Sequence, residues 1–165
     1  MSKIDLSHNS FNGSLETGIR SVCLLLAAFP NHFDLQRLIV FDYLVVHTGD
    51  LDGPTSLHPK IPMRSAELLI RRDIVERGLL LMISRRLVDR QASNEGIFYH
   101  AGEFAETFLS SLTSAYLRKL QDRANWVVNQ FGTLSDLELK QTTNHVFDRW
   151  LEEFQIIQTP TGGEL

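Results

Sequence analysis

The sequence predicts a mostly α, single winged-helix-like domain with a small β-hairpin wing and a C-terminal helical extension. Three observations carry this expectation. The stretch Arg64–Ala101 opens as a helix rich in Leu, Ile and Arg, passes through Leu87–Gln91, turns at Ala92–Gly96 and returns as Ile97–Ala101. Val88–Gln91 and Ile97–Ala101 are short extended runs, and Asn94-Glu95-Gly96 supplies residues that tolerate positive φ at a hairpin turn. Apolar residues recur at helical spacing on both sides of this unit. Finally, 165 residues are enough to bury one sizeable core, and no composition break or linker divides them.

Residues 1–13 have no periodicity and are expected to be flexible, with the domain occupying 14–155 and a loose tail 156–165. Ser14 is placed to cap a first helix from Leu15 to Phe29, where Ile19, Val22, Cys23, Leu26 and Phe29 make the apolar face and Pro30 ends it. Asp34 sits at the N-cap of a second helix, Leu35–Val46, with Phe33 and Leu38 as a hydrophobic staple. The third helix, Met63–Leu87, is apolar on most of its circumference, which predicts burial from several sides. Gly78 in its interior costs about 1 kcal/mol relative to alanine, and permits a kink or two shorter helices. After the hairpin, Phe104, Phe108, Leu112, Tyr116, Leu120, Ala124, Val127 and Phe131 form one long stripe, closed by Gly132 as a C′ residue. Ser135 and Glu138 then make a capping box for a last helix whose inner face is Leu139, Thr143, Phe147, Leu151 and Phe154.

The single cysteine, Cys23, excludes an intrachain disulfide or a cysteine-based zinc site, and its apolar helix face predicts a buried residue. Tyr43, Trp126 and Trp150 have apolar neighbours at helical spacing and are read as core. A polar N-terminus without the pattern of a secretory signal, and no apolar run of about 18 residues, predict a cytoplasmic protein that does not enter a membrane. The formal charge of −4 opposes nonspecific coating of nucleic acid. It is unevenly spread: seven arginines against four acids give Arg64–Arg90 a balance of +3, leaving −7 for the remainder.

The connection His47–Pro62 is long for a compact domain, and its glycines and prolines exclude regular structure. A helix-turn-helix that reads DNA joins its helices by about three or four residues, a rule this connection breaks. It carries His47, Asp50, Asp52 and His58, which could ligate a divalent ion or act as acid and base; against that stand helix capping for His47 and ordinary turn chemistry for the aspartates. Their spacing matches no motif of known geometry, so neither metal nor cofactor is expected. Nucleophile motifs, phosphate loops and dinucleotide turns are absent from the sequence, which predicts no catalytic residues and no enzymatic activity. Arg85, Arg86 and Arg90 adjoin the hairpin, where a guanidinium fork can bind a phosphate or a partner's carboxylates, or simply complement a helix end.

The segments Gly18-Ile19-Arg20, FDYLVVHTGD (41–50), GPTSLHP (53–59), RSAEL (64–68), SRRLVDR (84–90) and GIFYHAGEFAETFL (96–109) resemble the small middle component of bacterial ABC three-component conflict systems, the group that includes Lamassu-like defence. The resemblance covers the chain from about Phe11 to Phe154 and rests mainly on DYLVVHTGD and GPTSLHP. It implies a noncatalytic adaptor between an SMC-like ABC ATPase and an effector such as a nuclease, acting against phage or plasmids. DNA would be reached, if at all, through the complex. The expected partner contacts are His47, Asp50, His58, Arg64, Arg85 and Arg86, with Arg85, Arg86 and Arg90 as the candidates for nucleic acid. Two alternatives remain open, a winged-helix transcription regulator that binds duplex DNA and a metal-dependent enzyme built on the His47 loop.

Overall fold

The computed structural model describes residues 13–59 and 65–144. The expected N-terminal segment up to Asn12, Arg64, Trp150, the distal inner face Phe147, Leu151 and Phe154, and the tail 156–165 lie outside them. The described chain is mostly helical with one small antiparallel sheet. Its elements run α1 (Ser14–Ala28), β1 (Phe33–Asp34), α2 (Leu35–Val46), a 3-10 turn (Thr48–Leu51), α3 (Ser65–Ser84), β2 (Val88–Ser93), β3 (Gly96–Ala101), α4 (Ala105–Ser111), α5 (Ala115–Phe131) and a helix α6 that occupies 136–144. The sheet order is β1-β3-β2, with Phe33 opposite Tyr99 and Val88 opposite Ala101.

Local signals account for most boundaries. Gly13 rather than Ser14 precedes α1, and Ser14 is its first helical residue. Asp34 caps α2 by accepting from the Arg37 amide at 2.8 Å. Phe33 and Leu38, the expected staple, are both buried. In the capping box ahead of α6, the Ser135 amide donates to Glu138 Oε2 at 3.0 Å and the Glu138 amide donates to Ser135 Oγ at 3.1 Å. The hairpin turn is the two-residue Asn94-Glu95, flanked by the pair Ser93–Gly96, and Gly96 takes φ 129°, a value that only glycine adopts without strain.

Four further expectations change. The long stripe after the hairpin is two helices, because Leu112 turns extended and Ser114 starts α5 anew, its hydroxyl accepting from the Leu117 amide. Gly132 closes α5 in right-handed helical geometry, φ −63°, so it is not a left-handed C′ residue. The connection after α2 is not wholly irregular, since it contains the 3-10 turn Thr48–Leu51. Finally, α3 is a single helix through Gly78, with a buried strip of Val75, Gly78, Leu79 and Met82 and an exposed opposite face that includes Leu80.

The helix surrounded on several sides is α1, which packs on α2, α3, α4, α5 and β3. Its Val22, Leu24 and Leu25 are buried together with Leu38, Phe41 and Leu44 of α2, Leu79 and Met82 of α3, and Leu120 and Val127 of α5. Each such side chain contributes roughly 1.5–3 kcal/mol by leaving water. Cys23 belongs to this core, and burial pushes its thiol up to about 12, leaving it protonated. Arg37 ties α2 to the far end of the chain: it donates to the carbonyls of Gly132 and Leu134 at 3.1 and 2.6 Å and meets the Asp136 carboxylate at 2.9 Å, which fixes the turn from α5 into α6.

The crossing of α1 over α3 is made by two glycines. A Cβ on Gly78 would lie 2.7 Å from the Gly18 nitrogen and 2.9 Å from the Ser14 carbonyl oxygen. The helix cost of Gly78 is therefore accepted in exchange for backbone contact, and the helix does not divide there.

Candidate functional site

Three charged side chains enter the helical core from three helices. Arg20 of α1 donates through Nε to Asp42 Oδ1 of α2 at 2.7 Å and through Nη2 to Oδ2 at 3.3 Å, and Arg71 of α3 donates to the same Oδ2. Arg20 Nη2 also donates to Thr17 Oγ1 at 3.1 Å. Arg20 and Asp42 are almost fully buried, 3% and 1% exposed, which is tolerable only for ions paired and hydrogen-bonded on nearly every side. Burial drives the Asp42 carboxyl upward, but the two guanidinium charges outweigh it and hold the group below the usual carboxylate range. Burial likewise opposes the Arg20 charge, and Asp42 more than restores it.

From this triad the contacts continue into the loop after α2. The Arg71 guanidinium lies 5.3 Å from the Tyr43 ring centre, and Tyr43 stacks on His47 at 4.4 Å. Tyr43 also donates its hydroxyl to Asp50 Oδ2 at 3.3 Å. The His47 ring meets His58 edge-on at 6.4 Å, and His58 Nε2 is 2.9 Å from the Tyr116 hydroxyl of α5. Backbone bonds close the loop on itself. The amides of Leu57 and His58 both donate to the Val46 carbonyl, Thr48 Oγ1 donates to the Pro54 carbonyl at 2.7 Å, and Arg123 of α5 donates to the Thr55 carbonyl at 3.1 Å. The result is a compact loop pinned to α5 at one end and to the buried triad at the other.

A second feature lies where α3 turns into β2. Leu87 donates its amide to Met82 and Arg86 to Ile83, the paired bonds of a Schellman ending, which places Arg86 at the left-handed position with φ 59°. Glycine is favoured there, because an L side chain costs roughly 1–2 kcal/mol in this conformation. Arg85, Arg86 and Arg90 are all exposed, and among the described residues none of them enters an ion pair. Replacement of Arg86 by glycine should therefore raise stability, by about 1 kcal/mol. A denaturant midpoint below that of the wild type would contradict this reading of the turn.

The family model for ABC-three component (ABC-3C) system Middle Component 2 matches residues 10–153. The chain belongs to this family. No curated protein and no solved structure matches it. A middle component of a multi-component system has protein partners, which makes the distribution of exposed side chains on this one the relevant question.

Of the residues marked out in the sequence, the middle component gathers His47, Asp50 and His58 in one loop, against Tyr43 of α2 and Tyr116 of α5. It carries Arg85, Arg86 and Arg90 on a different part of the fold, the α3–β2 turn and the hairpin. His47 is 2% exposed, so its side chain forms the base of the loop and not its surface. Among the described residues no group of three or more His, Cys, Asp or Glu is arranged to hold a metal ion. Sequence reasoning passed over Arg20, Asp42 and Arg71. The available signal was a carboxylate inside the apolar run Ile39–Val46, which has to find a cation.

The two loop histidines give the protein a predictable response to acid. Burial, reinforced by Arg71, His58 and Arg20, holds His47 down at about 4, and burial also lowers His58. In the unfolded chain both titrate near pH 6.5. Between about pH 6.5 and 4 the unfolded state binds the additional proton, so stability is present above this window and is lost as pH falls through it. For His47 alone the loss by pH 4.5 is on the order of 2.5 kcal/mol. Thermal melts from pH 7.5 to 4.5 should show the decline, and His47→Gln should flatten it; parallel curves for the two proteins would contradict this.

Proposed function

We propose that this middle component is a noncatalytic adaptor with a winged-helix body, joining an SMC-like ABC ATPase to an effector such as a nuclease in a Lamassu-like anti-phage or anti-plasmid complex. Family membership supports the adaptor role. The order α1-β1-α2-α3-β2-β3, with sheet order β1-β3-β2, agrees with a winged helix and supports that description of the body.

The observation that carries the choice of a protein partner over duplex DNA is the exposed face of α3, the helix that would enter a groove. It presents Arg72, Asp73, Glu76, Arg77 and Leu80. Two carboxylates and a leucine that is 63% exposed oppose a phosphate backbone, and Asp73 already takes Arg77 at 3.1 Å. The length of the connection from α2 to α3 points the same way. Arg86 adds to this reading, since a side chain kept in a strained backbone conformation is commonly kept for a contact.

The exposed Arg85, Arg86 and Arg90 are the specific observation favouring the second reading, a transcription regulator. One experiment separates the two. Co-expression of the chain with the ABC ATPase and effector of its own system should yield one complex on gel filtration at low salt. A chain that migrates alone, while a specific duplex is retained and then released by Arg85→Ala with Arg86→Ala, would reverse the assignment.

A further inference from the structure

We propose that the cleft between the α3–β2 turn and α4 docks a short acidic peptide segment of a protein partner, with an apolar side chain in the cleft and a carboxylate on Arg85. This deepens the adaptor reading and rests on it. The cleft measures about 400 Å3 and is lined by Arg85, Leu87, Phe104, Thr107, Phe108 and Ser111, a size within the range of ligand clefts. Its floor is apolar and firm: Leu87 is buried and Phe108 packs partly against the core. Phe104, which precedes α4, is 45% exposed and supplies a free aromatic surface of the kind that anchors interfaces.

The cleft is built before any partner arrives. The Phe104 amide donates to the Arg86 carbonyl at 3.3 Å and the Gly102 amide to the Leu87 carbonyl at 3.0 Å, so the segment leading into α4 is fixed to the turn that presents the arginines. Little ordering cost then remains on this side of the contact.

Charge selects the occupant. Arg20, Arg37, Arg71 and Arg77 each meet a carboxylate within the chain, whereas Arg85 and Arg86 meet none among the described residues. A guanidinium fork beside an apolar cleft is complementary to a carboxylate next to a Leu, Phe or Trp. Glu103 and Glu106 are exposed beside Phe104, so a continuous phosphodiester chain would pass unfavourable charge there. A peptide can keep its carboxylate at Arg85 and lay apolar atoms elsewhere.

The test is selection from a displayed random peptide library against the full chain, followed by affinity measurement of the selected peptides on Arg85→Glu and Phe104→Ala. Both substitutions are at exposed positions, and their melting temperatures provide the folding control. The expected consensus pairs Asp or Glu with a large apolar residue, and each substitution should weaken binding about tenfold or more. Arg85→Glu used as bait should turn the acidic position basic. A consensus without carboxylates, no enrichment, or binding indifferent to both substitutions overturns the proposal. So does retention of duplex DNA that Arg85→Glu abolishes and Phe104→Ala does not, which would assign the arginines to a phosphate backbone. None of these outcomes bears on whether the wild-type chain forms a complex with the ABC ATPase, so the adaptor reading stands or falls separately.

Discussion

Asp42→Asn is expected to destabilise the protein by about 3–5 kcal/mol, a large part of the roughly 5–15 kcal/mol that holds a domain folded. The amide keeps the carboxylate's shape but loses its charge, and its NH2 must face a guanidinium that also only donates. Arg20, 3% exposed, would then lose the charge of the carboxylate that accepts two of its hydrogen bonds. The melting temperature at pH 7.5 should fall by roughly 10 °C or more. The companion experiment separates pairing from packing. Arg20→Met with Asp42→Leu removes both buried charges at similar volume, while Arg71, with a side chain 20% exposed, can turn outward to water. That double variant should recover most of the loss, because apolar replacement of a whole buried pair is often neutral or better. An Asp42→Asn protein that melts with the wild type would mean that the triad does not hold the three helices together.

The second large effect is expected at the α1–α3 crossing. Gly78→Ala gains about 1 kcal/mol of helix propensity, yet the new methyl group meets backbone atoms of α1 at 2.7 and 2.9 Å, which no side-chain rotation relieves. The helices must separate, and the net cost should reach about 3 kcal/mol or more, at the upper end for overpacking. Gly18→Ala is the instructive comparison. Two of its three closest neighbours are Cε and Cγ of Met82, a side chain that can move, and the third is the Gly78 carbonyl oxygen at 2.9 Å. Chemical denaturation should therefore rank Gly18→Ala as the milder change; the reverse order would show that Met82, not the backbone, sets the helix separation.

These two positions also mark what sequence can and cannot express. Helix α2 was legible to the residue, because its cap is one side chain bonding to its own backbone, and the Ser135–Glu138 box was legible for the same reason. The hairpin could be read from alternating runs around a turn. The break between α4 and α5 could not, since Phe104 to Phe131 keep helical phase across the extended Leu112; the weak signal was Ser114, a good cap, placed just before Ala115. Strand β1 is two residues long and exists only because β3 lies beside it. The site shows the same division. The arginines at the turn could be anticipated from a local excess of charge, whereas the triad Arg20–Asp42–Arg71 joins residues distant in sequence, and only the tertiary fold determines which cation an intrahelical aspartate meets.

The sheet register bears on the order in which the chain assembles. Phe33 pairs with Tyr99, so β1 waits for a partner about sixty-five residues further on, and the loop to be closed contains α2, the pinned loop and α3. The hairpin itself closes from local contacts within microseconds, but its attachment to the body is the longest-range step among the sheet contacts. At synthesis rates of about 5–20 residues per second, several seconds pass between the appearance of β1 and that of β3. During that interval α1 and α2 can meet while Phe33, 4% exposed in the finished protein, has no strand beside it. The β2–β3 hairpin can therefore dock on β1 only after α2 and α3 have been made, and α5, which packs on α1, is made later still.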